Sequence, residues 1–426
     1  MKWGVRNLFI TLLLVKLCLG RGDCEPRHTP VELSLRSALE IAIRQNPDFQ
    51  VVDQDVEVAR ALVEVAQQRP NPSLGYFLPV GRAEQKQKVV FNIPLETGGR
   101  RQARIVLAED GTKEAELRRR QAELSLKNNA RKAFVELAVA RLALEQAQRQ
   151  IAFLDQLVKV ATRRFEDGDV AEAEIIRATF EREQLRRTIY PAELRLKQAQ
   201  VTLNRLLGFP LLTNLQTIDD DILFPDGPIQ DSQEWLVPEV TDLIELARAN
   251  RPDLMLTAQQ VQSAKDRVRL AKALQSPDVS LQASLIHDPV LPSFAYQVGV
   301  QVELPWGSNR RGEVRNAEAS VEVAQLQRRV ALAEAERSVI SAYENYLAAR
   351  RQMKHDLGVL APLAGQVLKL SELIYELGEG DITQVLVASQ SVLQQRRIYL
   401  ADVLQFHIAI ADLEMAVNAN LIGDKP

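Results

Sequence analysis

The chain has 426 residues, with 53 Lys and Arg against 56 Asp and Glu, for a net charge of −3. That balance excludes a nucleic-acid binder, which needs a basic excess to neutralise phosphates, and 46% apolar with 26% charged residues excludes wholesale disorder. Aromatics make up only 5%, while Ala, Leu, Glu, Gln and Arg fill long stretches, which favours long helices over a sandwich or an α/β enzyme.

Residues 1–20 read as an export signal. Lys2 and Arg6 give a positive start, Leu8 to Leu19 form an apolar run broken only by Lys16, and Cys18-Leu19-Gly20 places small residues for cleavage after Gly20. The run falls short of the ~20 residues that span a bilayer. No later segment reaches that length without interruption, so any membrane crossing is expected from strands. Cys18 leaves with the signal. Cys24 remains as an alternative lipid-attachment site, although Arg21-Gly22-Asp23 lacks the small apolar residues of a lipoprotein signal. One remaining cysteine supplies no intramolecular disulfide framework.

The second half of the chain restates the first. Leu39-Glu40-Ile41-Ala42 and Asn46-Pro47-Asp48 return as Ile244-Glu245-Leu246-Ala247 and Arg251-Pro252-Asp253, an offset of 205. Phe165-Glu166-Asp167-Gly168 returns as Tyr375-Glu376-Leu377-Gly378, an offset of 210. A unit of ~180 residues is too long for a solenoid repeat and indicates a duplicated module. The repeats span about 31–207 and 239–420, separated by 208–238.

Each repeat opens with a helix, about 31–69 and 239–275. Alternation follows. Leu74, Tyr76, Leu78 and Val80, then Val89, Phe91, Ile93 and Leu95, predict strands at about 73–80 and 88–95. The second repeat predicts strands at about 279–286 and 296–304, carried by Val279, Leu281, Ala283 and Leu285 and by Tyr296, Val298, Val300, Val302 and Leu304. The alternative is a pair of soluble hairpins packed on the helices. Four strands cannot close a barrel, and an open sheet edge is not tolerated in lipid. If they enter a membrane, several chains must pool them.

Beyond the strands lie two long helices per repeat. No proline occurs from Leu95 to Tyr190, and Pro362 is alone between Trp306 and Lys425. Ala335, Val339, Ala342, Tyr346 and Ala349 are spaced as a coiled-coil seam. From Arg310 to Glu376 such a helix runs ~100 Å at 1.5 Å per residue. Pro191 and Pro362 are expected to mark bends, in a different helix of each repeat.

The order of export signal, helix, strand pair, very long helix, turn and long helix, given twice, resembles the TolC-type outer membrane factors of Gram-negative bacteria. The resemblance covers ~390 residues. It implies a mainly α fold with membrane β structure: a trimer whose 12-stranded barrel, four strands per chain, continues into a periplasmic α-helical tunnel. Pro94-Leu95-Glu96-Thr97-Gly98-Gly99-Arg100-Arg101 and Leu304-Pro305-Trp306-Gly307-Ser308-Asn309-Arg310-Arg311 resemble the strand-to-helix corners of the CzcC-like heavy-metal efflux branch. That branch usually has an apolar pair plus Asp where Trp306-Gly307-Ser308 stand. Pro94, Gly98, Gly99, Pro305 and Gly307 are the corner residues.

The resemblance implies a passive exit duct in the outer membrane, fed by an inner-membrane resistance-nodulation-division (RND) pump through a periplasmic adaptor, with divalent heavy-metal cations as cargo. A multidrug or type I secretion duct is the alternative within the class. A periplasmic coiled-coil adaptor or structural stalk is the alternative outside it, but an adaptor carries one helical hairpin and this chain shows two. The segment 208–238, with Pro210, Pro225, Pro228 and Pro238, is expected to be irregular and to sit in an equatorial collar. Its Asp219-Asp220-Asp221 could bind a cation or be a solvated loop.

No Gly-rich phosphate loop, HExxH, GxSxG or CxxC occurs. His28, His287, His355 and His407 are scattered without metal-ligand spacing. Neither enzymatic activity nor a cofactor or resident metal is expected; a conduit must release its cargo.

Function is expected at the far ends of the rods, at Phe165-Glu166-Asp167-Gly168-Asp169 and Tyr375-Glu376-Leu377-Gly378-Glu379-Gly380-Asp381. Gly168 and Gly378 supply the left-handed conformation of a helix C-terminus, and Asp169 or Asp381 can cap the next helix. The resemblance implies that Gly168, Asp169, Gly378, Gly380 and Asp381 dock the adaptor. Glu166, Asp167, Glu376 and Glu379, with the two aspartates, would form an acidic gate at the tunnel entrance.

Overall fold

The computed structural model describes residues 31–78, 86–218, 237–288, 293–303, 310–419 and 421. The export segment with Cys18, Cys24 and His28, the triplet Asp219-Asp220-Asp221, and Pro305, Trp306 and Gly307 lie outside these residues.

The first repeat begins with strand β1 (Val31–Leu33) and two helices, α1 (Leu35–Gln45) and α2 (Pro47–Gln67), where the sequence predicts one helix. Pro47 is the reason. Asn46 takes the extended φ −64°, ψ 119° that a following proline favours, and its side chain accepts from Phe49 N at 2.8 Å to cap α2. Strands β2 (Ser73–Phe77) and β3 (Gln87–Leu95) follow, then α3 (Arg100–Glu166), 67 residues and about 100 Å long at 1.5 Å per residue. After the turn come α4 (Glu172–Arg186) and α5 (Ile189–Leu207). Strand β4 (Leu215–Thr217) then pairs in parallel with β1, a closure that the sequence pattern does not announce.

The second repeat has the same order. Pro252 divides its opening helix into α6 (Val240–Asn250) and α7 (Pro252–Ala273). Strands β5 (Val279–Asp288) and β6 (Ser293–Val302) follow. Then come α8 (Arg311–His355), a π turn at Asp356–Leu360, α9 (Ala361–Glu376), and the returning helix α10 (Ile382–Val417).

Both internal prolines sit at interruptions. Arg187 and Thr188 separate α4 from α5, and Pro191 falls in the first turn of α5, where a missing N–H needs no intrahelical acceptor. Pro362 follows the π turn. In a continuous α-helix its ring would press on the Gly358 carbonyl, and the wider turn, in which Ala361 N donates to Asp356 O, absorbs that clash.

The four long strands form one antiparallel sheet in the order β2-β3-β5-β6. The rods below keep that order: α2 packs on α3, α3 on α7, and α7 on α8. Farther from the sheet, α3 packs on α4, α5 and α10, and α10 packs on α8 and α9. Among the described residues, four apolar clusters hold the layer together: around Phe134 and Leu203, around Tyr346 and Phe406, around Leu154 and Tyr375 near the turns, and a small one of Val261, Ala264 and Ala324 nearer the sheet. The stretch Arg311–Glu376 includes an 18-residue window apolar enough by composition to cross a membrane, and none of that window is buried within the chain.

Candidate functional site

The two turns at the far ends of the rods have the same hydrogen-bond pattern. In the first, Gly168 N donates to Phe165 O at 3.0 Å and Asp169 N to Arg164 O at 2.8 Å. In the second, Gly378 N donates to Tyr375 O at 3.1 Å and Glu379 N to Ile374 O at 3.1 Å. This is the Schellman closure, which needs a left-handed residue after the helix; Gly168 at φ +84° and Gly378 at φ +81° supply it. Gly380 serves a different end, since a Cβ there would lie 2.8 Å from Ile374 Cγ2.

Capping differs between the turns. Asp381 caps α10, its side chain accepting from Thr383 N at 3.2 Å, and the Thr383 side chain, this amide and nearby Arg177 hold its carboxyl below the usual aspartate range. Asp169 does not cap α4. The capping position there is Ala171, two residues further on and in register with Asp381. Asp169 instead aligns with Glu379, so its carboxylate lies too early in the turn to reach the helix amides.

The turns are joined by contacts that the sequence pattern did not reveal. Arg164 Nη1 donates to Tyr375 O at 2.9 Å, and its guanidinium lies 4.7 Å from the Tyr375 ring centroid. Tyr375 is 2% exposed and its hydroxyl donates to Glu174 Oε2 at 3.2 Å. Burial, together with the Glu174 charge and hydrogen bond, pushes this phenol up to about 12 against the opposing effect of Arg164. Beside it, Arg177 Nη1 donates to Thr383 Oγ1 at 3.0 Å and stands 4.0 Å from Asp381. Glu166, Asp167, Asp169, Glu376 and Glu379 are exposed and carry no ion pair among the described residues. The only hint in the sequence was that Arg164 and Tyr375 adjoin turns in register.

At the opposite end, the corner between β3 and α3 is tied to the second repeat. Gly98 and Gly99 are left-handed, at φ +65° and +74°. Arg100 pairs with Asp278 and donates to Ser276 O, while Thr97 Oγ1 donates to Pro277 O at 2.7 Å. Pro94 remains in β3, opposite Ser280.

The sheet aligns its apolar residues in cross-strand rows. Leu74, Phe91, Ala283 and Val298 form one row, and Tyr76, Val89, Leu285 and Tyr296 the next. Ile93, Leu281 and Val300 form a third. Tyr296, Val298 and Val300 are 83%, 75% and 66% exposed. The other face carries Gln282, Ser284, Gln297 and Gln301, with Gln282 donating to Gln301. Both edges, β2 and β6, are unpaired among the described residues. His287 stacks on Phe294 at 4.7 Å, and among the described residues no group of three or more His, Cys, Asp or Glu is placed to hold a metal ion.

Comparison with known proteins gives a consistent picture. The family model described as outer membrane efflux protein matches residues 38–209 and 243–419. The cobalt-zinc-cadmium resistance protein CzcC of Cupriavidus metallidurans is 22% identical over 381 residues, 88% of this chain and 87% of that protein. Among solved structures, CusC superposes with a TM-score of 0.73 at 16% identity, covering 95% of this chain and 96% of that one. The outer-membrane protein VceC of Vibrio cholerae superposes with a TM-score of 0.70 at 18% identity, covering 91% and 96%.

Proposed function

This chain belongs to the outer membrane efflux protein family, and from that premise we propose that three copies assemble into the exit duct of a tripartite pump. It is an outer-membrane efflux channel of TolC-type fold. The observation that carries the trimer is the sheet: four strands, one apolar exposed face and two unpaired edges. Such a sheet is not tolerated in lipid unless its edges are paired. Three copies would pool their four strands into a closed barrel.

The rods support the same assembly. The α2 flank exposes Val58, Leu62 and Val65, and the α8 flank exposes Val323, Leu326 and Val330. Nearer the turns, Ile176 and Phe180 of α4 and Tyr190 of α5 are exposed on one side, and Leu363, Val367 and Leu370 of α9 on the other. Unlike flanks meeting head to tail generate a ring. The apolar window in Arg311–Glu376 is then a helix–helix contact between copies.

The six turns of such a trimer would dock a periplasmic adaptor through Gly168, Asp169, Gly378, Gly380 and Asp381. Their unpaired carboxylates would attract cations at low salt. Energy would come from an inner-membrane RND pump, and the cargo would be divalent heavy-metal cations, the reading that the likeness to a cobalt-zinc-cadmium resistance protein supports. Native mass measurement of the detergent-extracted protein should give three chains; a stable monomer in the absence of detergent would overturn the assembly. Deletion should sensitise the host to cobalt, zinc or cadmium, whereas sensitivity to drugs alone would transfer the chain to the multidrug class.

A further inference from the structure

Just beyond the sheet, α3 and α7 lie side by side and bury two acids at their seam. Asp110 on α3 is 1% exposed and Asp266 on α7 is 2% exposed. Asp110 lies about 15 Å along α3 from its first residue, at 1.5 Å per residue. Its Oδ1 accepts from Gln259 Nε2 at 2.9 Å and from Lys113 Nζ at 3.2 Å. Its Oδ2 is buried and has no donor. Gln259 and Asp266 are two helical turns apart on one face of α7, so the seam that brings the Gln259 amide to Asp110 also sets the buried Asp266 beside it, nearer the sheet. Asp266 itself accepts from Gln262 Nε2 at 2.7 Å and from Arg269 Nη1 at 2.6 Å.

Lys113 and Arg269 each offset one of these charges from the seam's edge, but two neighbouring buried carboxylates still repel, and a buried carboxylate oxygen without a donor loses its hydration for nothing. A single proton between them removes both problems. The surrounding charges are otherwise engaged. On α3, Glu114 accepts from Ser263 Oγ of α7 and pairs with Arg118 at 2.9 Å. From α2, Arg60 pairs with Glu57 at 2.6 Å and Glu116 at 3.4 Å. Against α7, helix α8 presents Ala324 to Val261 and Ala264, with Glu318 paired to Lys272 at 3.1 Å nearer the sheet.

We propose that Asp110 and Asp266 share one proton across this seam, the Asp110 O–H donating from Oδ2 to the Asp266 carboxylate, so that the joint between the two repeats is clamped in acid and loosens when the proton leaves. Burial and the adjoining Asp266 raise Asp110 above its ordinary value, with Lys113 and Gln259 acting in the opposite sense. The folded chain therefore holds this proton more tightly than the unfolded chain. The clamp is at full strength below the ordinary aspartate range and is lost as pH rises through the raised value. Asp381 behaves oppositely, so the clamp shows as a difference between variants and not in total stability.

The test uses the full-length protein extracted from membranes, titrated by infrared difference spectroscopy between about pH 4 and about pH 8, across and above the ordinary carboxylate range. Asp402, raised to about 6 by burial and by Asp356, and Glu372, raised by burial, supply late bands of their own in every variant, so the readout is the wild-type-minus-D110N difference. The expected result is a protonated-carboxyl C=O component in that difference that outlasts the ordinary Asp titration, and its absence overturns the proposal. D266N must remove the same component, because its amide would donate to Asp110 at every pH; a component that survives in D266N overturns the proposal as well. In thermal unfolding, the wild-type Tm should fall by a few degrees relative to D110N as pH rises, and parallel curves would count against the clamp. A rise in wild-type Tm on adding Zn²⁺ at about pH 8, absent in D110N, would replace the shared proton with a cation site.

Discussion

Arg164, at the end of the first long rod, holds Tyr375, at the end of the second, by a 2.9 Å hydrogen bond to its carbonyl and by its guanidinium 4.7 Å from the ring centroid. The two hairpins of one chain are thereby clasped where the duct is expected to open. Arg164→Ala should leave trimers in the membrane while raising the open-channel fraction in planar bilayers. A double-mutant cycle with Tyr375→Leu, which removes the ring, should give a coupling of about 0.5–1.5 kcal/mol. Additive variants with unchanged conductance would show that the clasp does not restrain the tip.

The same tyrosine sets a pH signature. The folded state keeps its proton up to about 12, above the ordinary phenol value of 10.0. Its stabilising contribution is complete below the ordinary value and declines as pH climbs through the raised one. In an ultraviolet phenolate titration, one tyrosine should ionise last, and Tyr375→Phe should remove that late step.

Gly168 and Gly378 separate strain from clash. A Cβ at Gly168 meets nothing within 4 Å, and at Gly378 it meets only Arg164 Nη2 at 3.7 Å. Replacement by leucine therefore imposes left-handed strain of about 1–2 kcal/mol per site, too little to dissolve a trimer. Export should nevertheless fail if these turns dock an adaptor. Intact efflux, or loss of the trimer itself, would reduce them to fold elements.

Leu281 and Val300 face each other across β5 and β6 on the apolar face. Arginine at either should weaken assembly by about 2–4 kcal/mol near the bilayer midplane, whereas arginine at Gln301 should be tolerated. Heat-modifiable migration on gels reads the outcome, and equal tolerance would reverse the assignment of faces.

Gly98 and Gly99 offer a matched pair at the corner. Both are left-handed, but a Cβ at Gly98 would lie 2.0 Å from Ser276 Oγ and 3.0 Å from Ala273 O, while one at Gly99 meets nothing. Gly98→Ala adds overpacking of about 1–3 kcal/mol to strain of about 1–2 kcal/mol; Gly99→Ala carries the strain alone. The trimer melting temperature should order them accordingly.

Periodicity made the long elements legible. Alternation over Val279–Leu285 and Tyr296–Val302 revealed the strands, and proline-free stretches with heptad spacing revealed the rods, because a one-sided apolar face imprints its period locally. The glycines at 168 and 378 marked the turns for the same reason, since a left-handed residue is required whatever lies nearby. Three features resisted that reading: the break at Asn46-Pro47, where a proline at a helix start looks like one at a helix end; the pairing of β1 with β4, three residues each; and the failure of Asp169 to cap.

The duplicated plan of short helices, strand pairs and rods is written locally, because backbone propensity and amphipathic period are properties of neighbouring residues. Which distant residues meet is settled by how the rods pack. Arg164 on Tyr375, Arg100 on Asp278, and Asp110 beside Asp266 are separated by more than 150 residues in every case. Their contacts depend on the register between rods, which is fixed by the sheet order β2-β3-β5-β6 and by alanine-lined packing along the whole length. No local pattern encodes that register, because shifting one rod by a turn would leave each period intact while separating every one of these pairs.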